Sequence, residues 1–217
     1  MATTYVQAVN EVLQRIREDQ VVSVADSDYS KLIGKFVNEA KREVEDAHNW
    51  SHLKSSGTLS TTALVAGPYP ISTNPRSKII AAYNQSNGWP INPMTQDDYD
   101  RMMNMLSGAP ASPTNYLVAS TDPTAPLSIM LFPTPLASGI NLFLRLKLAQ
   151  DDLYNDTDVI RVPPHLVVLG AVAKALDDRG DPEEVVQRRL RAYEEAVDTA
   201  ISVDAETDPG QTDWEPI

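Results

Sequence analysis

The composition of the chain breaks twice, and those breaks constrain its fold more than any single motif. Residues 1–55 contain no proline and are rich in helix formers. Residues 56–150 hold most of the 16 prolines, and residues 151–217 return to helix-forming, acidic sequence. Proline removes a backbone donor and clashes with the preceding helical turn, so long helices belong at the two ends of the chain. The middle has to be built from short elements bounded by turns.

The first end reads as two helices. Thr4 caps the first with Gln7 at capping-box spacing, and Val6, Val9, Leu13 and Ile16 form one apolar stripe. Ser27 or Asp28 caps the second, whose stripe runs Leu32, Ile33, Phe36, Val37, Ala40, Val44 and Ala47, with Trp50 and Leu53 near its end. In the middle, GTLSTTALV, SKIIAAYNQ, NYLVAST, LSIMLFP and INLFLRLKL read as strands between Pro and Gly turns. The last of these alternates Leu146 and Leu148 with Arg145 and Lys147, the pattern of a half-exposed strand. Thr95 caps one short helix, TQDDYDRMMNML, whose Met102, Met103 and Met105 read as packing residues.

The last third reads as two further helices. Pro163 and Pro164 open the first, and its apolar Leu166–Leu176 run, including Leu169, predicts burial. Gly180 suits a helix stop, and Asp181, Pro182 and Glu184 suit a restart. The final helix carries Val186, Leu190, Tyr193, Val197 and Ile201 on one face and Arg188, Arg189, Glu195 and Asp198 on the other. DAETDPGQTDWEPI, with five acids and no base, predicts an extended tail.

These elements predict an α+β, mainly α fold. A four-helix core forms from the two ends (1–55 and 156–203), an antiparallel β-rich domain is inserted over 56–155, and an acidic tail covers 204–217. Phe36, Val37, Leu166, Leu169, Leu190 and Tyr193 are the expected core or inter-subunit helix faces, with Arg188, Arg189 and Arg191 as a contact patch.

The net charge of -12 resides almost wholly in residues 151–217, where 17 acids face 6 bases. That balance argues against tight wrapping of nucleic acid, which needs cations to replace counterions. The absence of cysteine excludes disulfides and thiolate chemistry. No apolar run reaches membrane-spanning length, and the amphipathic N-terminus with its early acids is neither signal nor transit peptide, so the expectation is a protein made in the cytoplasm without a membrane partner. Phosphate-binding, dinucleotide-binding, nucleophile-elbow and zinc-hydrolase motifs are absent. His48 and His52 stand four apart at the end of the second helix but lack a third ligand, and DDLYNDTDVIRV fails the EF-hand pattern, so no metal and no cofactor is expected. The acid pairs Glu183–Glu184 and Glu194–Glu195 adjoin on one helix, whereas a glycosidase needs carboxylates facing across a cleft. The layout suits an assembly component better than a catalyst.

VNEVLQRIRED followed by FVNEAKREVEDAHNWSHL resembles the opening helices of head-to-tail adaptors of tailed bacteriophages, called head-completion or tail tubular protein A in short-tailed phages. LFPTP, then DTDVIRVPPHLVVLGAVAKALDDRGDP, is similar to the same family. The resemblance implies a structural virion protein of the neck, a dodecameric ring under the portal that extends the DNA channel for ejection. It implies the portal, a tail nozzle or other tail component, and further copies of the chain as partners, with DNA passing through without specific binding. It also implies that the C-terminal tail binds the portal through Asp208, Asp213, Trp214, Pro216 and Ile217. The alternatives are an adaptor with peptidoglycan-hydrolase activity, or another neck ring such as a stopper or tail-completion protein.

Overall fold

A computed structural model describes residues 2–105, 109–119 and 124–207. Two compact units divide between Leu53 and Lys54 and again between Gln150 and Asp151. The first is helical and comes from both ends of the chain. The second is the middle of the chain.

The helical unit holds α1 (Tyr5–Arg15) and α2 (Asp28–Ala47), followed later in the chain by α4 (Pro164–Asp178) and α5 (Glu183–Thr207). Thr4 and Gln7 form the predicted capping box, with the Thr4 amide donating to Gln7 Oε1 at 3.0 Å. Ser27 caps α2 by accepting from the Ser30 amide at 3.0 Å. Val9, Val12, Leu13, Ile33, Val37 and Leu166 are among the fully buried residues of its core. Lys41 and Glu45, both with no exposed side-chain surface, pair inside it at 3.6 Å, and Lys41 Nζ donates to the Asp151 carbonyl at 2.6 Å.

The acidic connection before α4 is structural. The amides of Tyr5 and Val6, orphaned at the start of α1, donate to the carbonyls of Asp158 and Asp156. Asp156 Oδ1 accepts from the Val24 amide at 3.0 Å, Asp158 Oδ2 caps the amides of Tyr154 and Asn155, and Asp152 pairs with Arg42. Hydrogen bonds from Ser23 and the Val24 amide hold the Asp156 carboxyl below its ordinary range. These acids fasten the loop; they are not a solvated patch.

The second unit contains two sheets. β1 (Lys54–Ser60), β7 (Asn141–Lys147) and β3 (Lys78–Asn84) form one in the order β1-β7-β3. The other runs β2 (Tyr69–Ser72), β6 (Leu127–Phe132), β5 (Asn115–Val118), β4 (Asn92–Pro93). Leu142, Leu144 and Leu146 of β7 share one apolar cluster with Ile129 and Leu131 of β6, so the sheets pack face to face. On the other side of β6 and β5, Phe132 and Leu117 meet Tyr99 of α3 (Gln96–Met105), with Met102 and Met103 against them and Met105 exposed. β6 is therefore covered on both faces, which is why LSIMLF is apolar without alternation.

The expected mainly-α class built on a four-helix core is overturned. Among the described residues there are five α-helices, one of them in the β unit, and seven strands in two sheets. The fully buried apolar cluster of the helical unit is supplied by α1, α2, α4 and the connecting segments, while α5 adds only partly buried residues such as Tyr193, Ala196 and Val197. The sheets are not wholly antiparallel, because β4 pairs with β5 in parallel. Lys147, expected outward with Arg145, is 2% exposed. The last helix continues to Thr207, four residues into the predicted tail.

Candidate functional site

The surface that a binding function can use is built around α5. The Gly180 stop before it is where the sequence predicted it, but the helix starts at Glu183 and Asp181 is not its cap. Gly180 takes φ +74, a left-handed conformation that side chains resist, and its amide closes on the Asp177 carbonyl at 2.9 Å. The carboxylate of Asp181 receives Arg179 at 2.6 Å instead of serving the next helix, and Arg179 also donates to the Ile16 carbonyl.

α5 lies close on α4 because Gly170 has no side chain. A Cβ at that position would stand 3.1 Å from Ala40 Cβ of α2 and 3.2 Å from the Tyr193 ring of α5. Tyr193 is half-buried there, and burial first, then the nearby Glu43 carboxylate, push its phenol up to about 12. Of the predicted helix faces, Val37 and Leu166 are fully buried, Phe36, Leu169 and Tyr193 are half-buried, and Leu190 is 37% exposed at the edge of a cleft of about 210 Å³ between α2, α4 and α5. Arg188, Arg189 and Arg191 are all exposed on α5. Exposed too are Glu183, Glu184, Glu194 and Glu195, which share one helix surface and do not face each other across a cleft.

Towards the end of α5 a larger groove of about 630 Å³ opens, with Trp50, His52, Pro163, His165, Ala196 and Ala200 among its lining. Trp50 is its buried floor, fixed by Nε1 donating to the Val44 carbonyl at 2.5 Å and by an edge-on contact with His48 at 5.1 Å. The end of the groove is closed by Asp204. Its Oδ1 accepts from Ser51 Oγ at 2.7 Å, and its Oδ2 accepts from the Ser51 amide at 3.0 Å and lies 3.2 Å from His48 Nε2. Burial pushes the Asp204 carboxyl up, but Ser51 and His48 together outweigh it and hold the group below its ordinary range. This latch was hidden in the sequence, where Asp204 reads as one more acid of the tail.

The two histidines do not sit on a helix as their spacing implied. α2 stops at Ala47, His48 is extended, and His52 lies in the following 3-10 turn beside the Ser51 hydroxyl. Among the described residues no group of three potential ligands gathers to hold a metal. Among the described residues no helix is long and apolar enough to cross a membrane. Asp208, Asp213, Trp214, Pro216 and Ile217 lie outside the described residues.

The exposed side of α5 presents charged residues next to the small Ala196 and Ala200 of the groove. No curated protein matches the chain. The family model described as SU10 adaptor protein matches residues 3–213, which includes every helix of the helical unit and both sheets. The chain therefore belongs to the SU10 adaptor protein family, the phage head-to-tail adaptors its sequence resembles.

Proposed function

We propose that this adaptor assembles as a ring of 12 copies beneath the portal, in the virion neck, and extends the DNA channel towards a tail nozzle or other tail component. The observation that carries the reading is the family match across residues 3–213. The helical domain (1–55 with 156–203) supplies lateral contacts through the exposed side of α5, with Arg188, Arg189 and Arg191 against acids of the next copy. The β-rich domain over 56–155 meets neighbouring neck components. The tail binds the portal, with Trp214 as anchor and Asp208, Asp213, Pro216 and Ile217 beside it. Tryptophan offers a large apolar area for a pocket on a partner, worth roughly 2 kcal/mol or more when buried.

Charge supports the same reading. An acidic channel wall repels phosphates, so DNA slides past without being gripped. Light scattering of the protein with and without its portal tests the proposal. The expected result is a monomer alone and a ring on the portal. No gain in mass on mixing contradicts it.

A further inference from the structure

We infer that the outer face of the β1-β7-β3 sheet docks the α1–α2 loop of a second copy, with Val22 of that loop on Tyr83 and Phe143 and its acids facing Arg145 and Lys78. The inference rests on the ring proposed above for its setting and adds a lateral contact made by the β-rich domain.

The sheet face follows from its register. Leu142, Leu144 and Leu146 of β7 belong to the apolar cluster between the sheets, so Phe143 and Arg145 point the other way. Phe143 stands between Thr58 of β1 and Tyr83 of β3, and Arg145 stands between Ser56 and Ala81. Lys78 opens β3 opposite Lys147. Tyr83 is 41% exposed, and Ser56, Thr58, Lys78 and Arg145 are exposed with it. The three strands carry four bases and no acid. Among the described residues, the acids of this unit are Asp97, Asp98 and Asp100 of α3, which packs on the far side of the other sheet. Two layers of about 10 Å each separate them from Arg145, against a screening length of about 8 Å at physiological salt. Within its own unit the face is therefore positive. Aromatic residues and arginine together are the composition of an interface centre.

The α1–α2 loop is the complementary surface. Residues 18–28 hold four acids, Glu18, Asp19, Asp26 and Asp28, and no base. All four are exposed, and Asp28 pairs with Lys31 at 3.0 Å. Between them Val22 is 92% exposed. A lone exposed valine is ordinary on a protein surface, but this one is fixed on both sides. Val21 exchanges both of its backbone groups with the Asn10 side chain, at 2.8 and 2.9 Å. Asp26 accepts from the amides of Val22 and Ser23 at 2.9 and 2.8 Å, and Asp156 accepts from the Val24 amide at 3.0 Å. A loop held this way loses little freedom on binding.

Charge selects a second copy as the occupant. Residues 54–150 hold six bases and four acids, whereas the rest of the chain holds 12 bases and 26 acids. Unlike surfaces of two copies attract and like surfaces repel. At 92% exposure Val22 is covered by nothing in its own chain, so its cover comes from outside. Each chain offers one sheet face and one loop. A contact between these unlike surfaces leaves one of each unused, so it passes from copy to copy and closes where the rotation allows a ring.

The chain has no cysteine, so introduced thiols report the contact directly. Full-length Val22→Cys and Tyr83→Cys chains, each changed at an exposed position, are mixed in equal amounts at millimolar concentration without portal and oxidised with oxidised glutathione. Random collision makes mixed dimers as often as the two like dimers together. The expected result is mixed dimers at roughly fivefold that level, the size of two surface charge pairs. Adding Lys78→Glu and Arg145→Glu to the Tyr83→Cys chain returns the ratio to random, as does adding Glu18→Lys and Asp19→Lys to the Val22→Cys chain. Mixing the two reversed chains restores the excess. Mixed dimers at the random level, or a ratio indifferent to the charge reversals, would overturn the inference. The ring is read separately, by light scattering with portal. Lys78→Glu with Arg145→Glu should lower the ring mass there, and full ring mass with that variant would remove this contact while leaving the ring standing.

Discussion

α4 and α5 are adjacent in sequence and packed on one another, yet they solve opposite problems. α4 is apolar nearly all round and buries Leu166, Val167, Val168, Ala171 and Val172 between its neighbours. α5 is longer, puts no apolar residue in the fully buried class, and presents charged side chains outward. A helix of the first kind is satisfied by its own chain. One of the second kind is held by partly buried residues such as Tyr193 at Gly170, Val197 and Ile201, with Asp204 tied to Ser51, and leaves its charged side exposed. The difference assigns stability to α4, and the proposed function assigns assembly to α5.

The largest effect expected from that contrast is at Leu166. Leu166→Ala should cost about 3 kcal/mol in a urea titration, because a fully buried leucine leaves a cavity, while Leu190→Ala on α5 should cost under about 1 kcal/mol. Equal losses at the two sites would break the comparison. Next comes Gly170→Val. Its side chain meets Ala40 and the Tyr193 ring, and the overpacking should cost about 1–3 kcal/mol. Amide exchange should rise in α5 before α2, and the Tyr193 phenol should ionise well below its present value near 12 in a spectrophotometric titration.

Asp204→Asn should be smaller, about 1–2 kcal/mol at neutral pH. The folded-state pKa of Asp204 is lowered, so its stabilisation is present above the unfolded-state value and is lost as pH falls through the folded-state value. The gap between wild type and Asp204→Asn in urea midpoint should therefore close in acid. A gap that widens in acid would rule out the latch. The smallest effect on stability belongs to Arg188→Ser, Arg189→Ser and Arg191→Ser combined. The triple variant should stay within about 0.5 kcal/mol of wild type in the same titration yet lose ring mass on the portal.

What the sequence revealed follows the same division. Thr4, Gln7 and Ser27 announce their helices because capping is local chemistry between residues a turn apart. The Pro163–Pro164 start and the Gly180 stop are legible for the same reason. Strand β2 was not, since Pro68 and Pro70 read as loop and its pairing with β6 is a long-range event. Lys147 looked exposed because alternation gives the face of a strand but not what covers that face. Asp204 and Asp156 looked like solvent acids, and their partners, Ser51 and Val24, lie far away in the chain. On α5, the charged face could be read from its period. The groove beside it could not, because its floor, Trp50, comes from a segment some 150 residues away.

In the proposed assembly, portal attachment runs through the residues after α5. Its most direct test is electron microscopy of portal particles mixed with the full chain or with a chain ending at Thr207. The expected result is a ring of adaptor density on portals given the full chain and bare portals with the shortened one, whose helices remain folded by circular dichroism. Rings of equal occupancy with both proteins would contradict it.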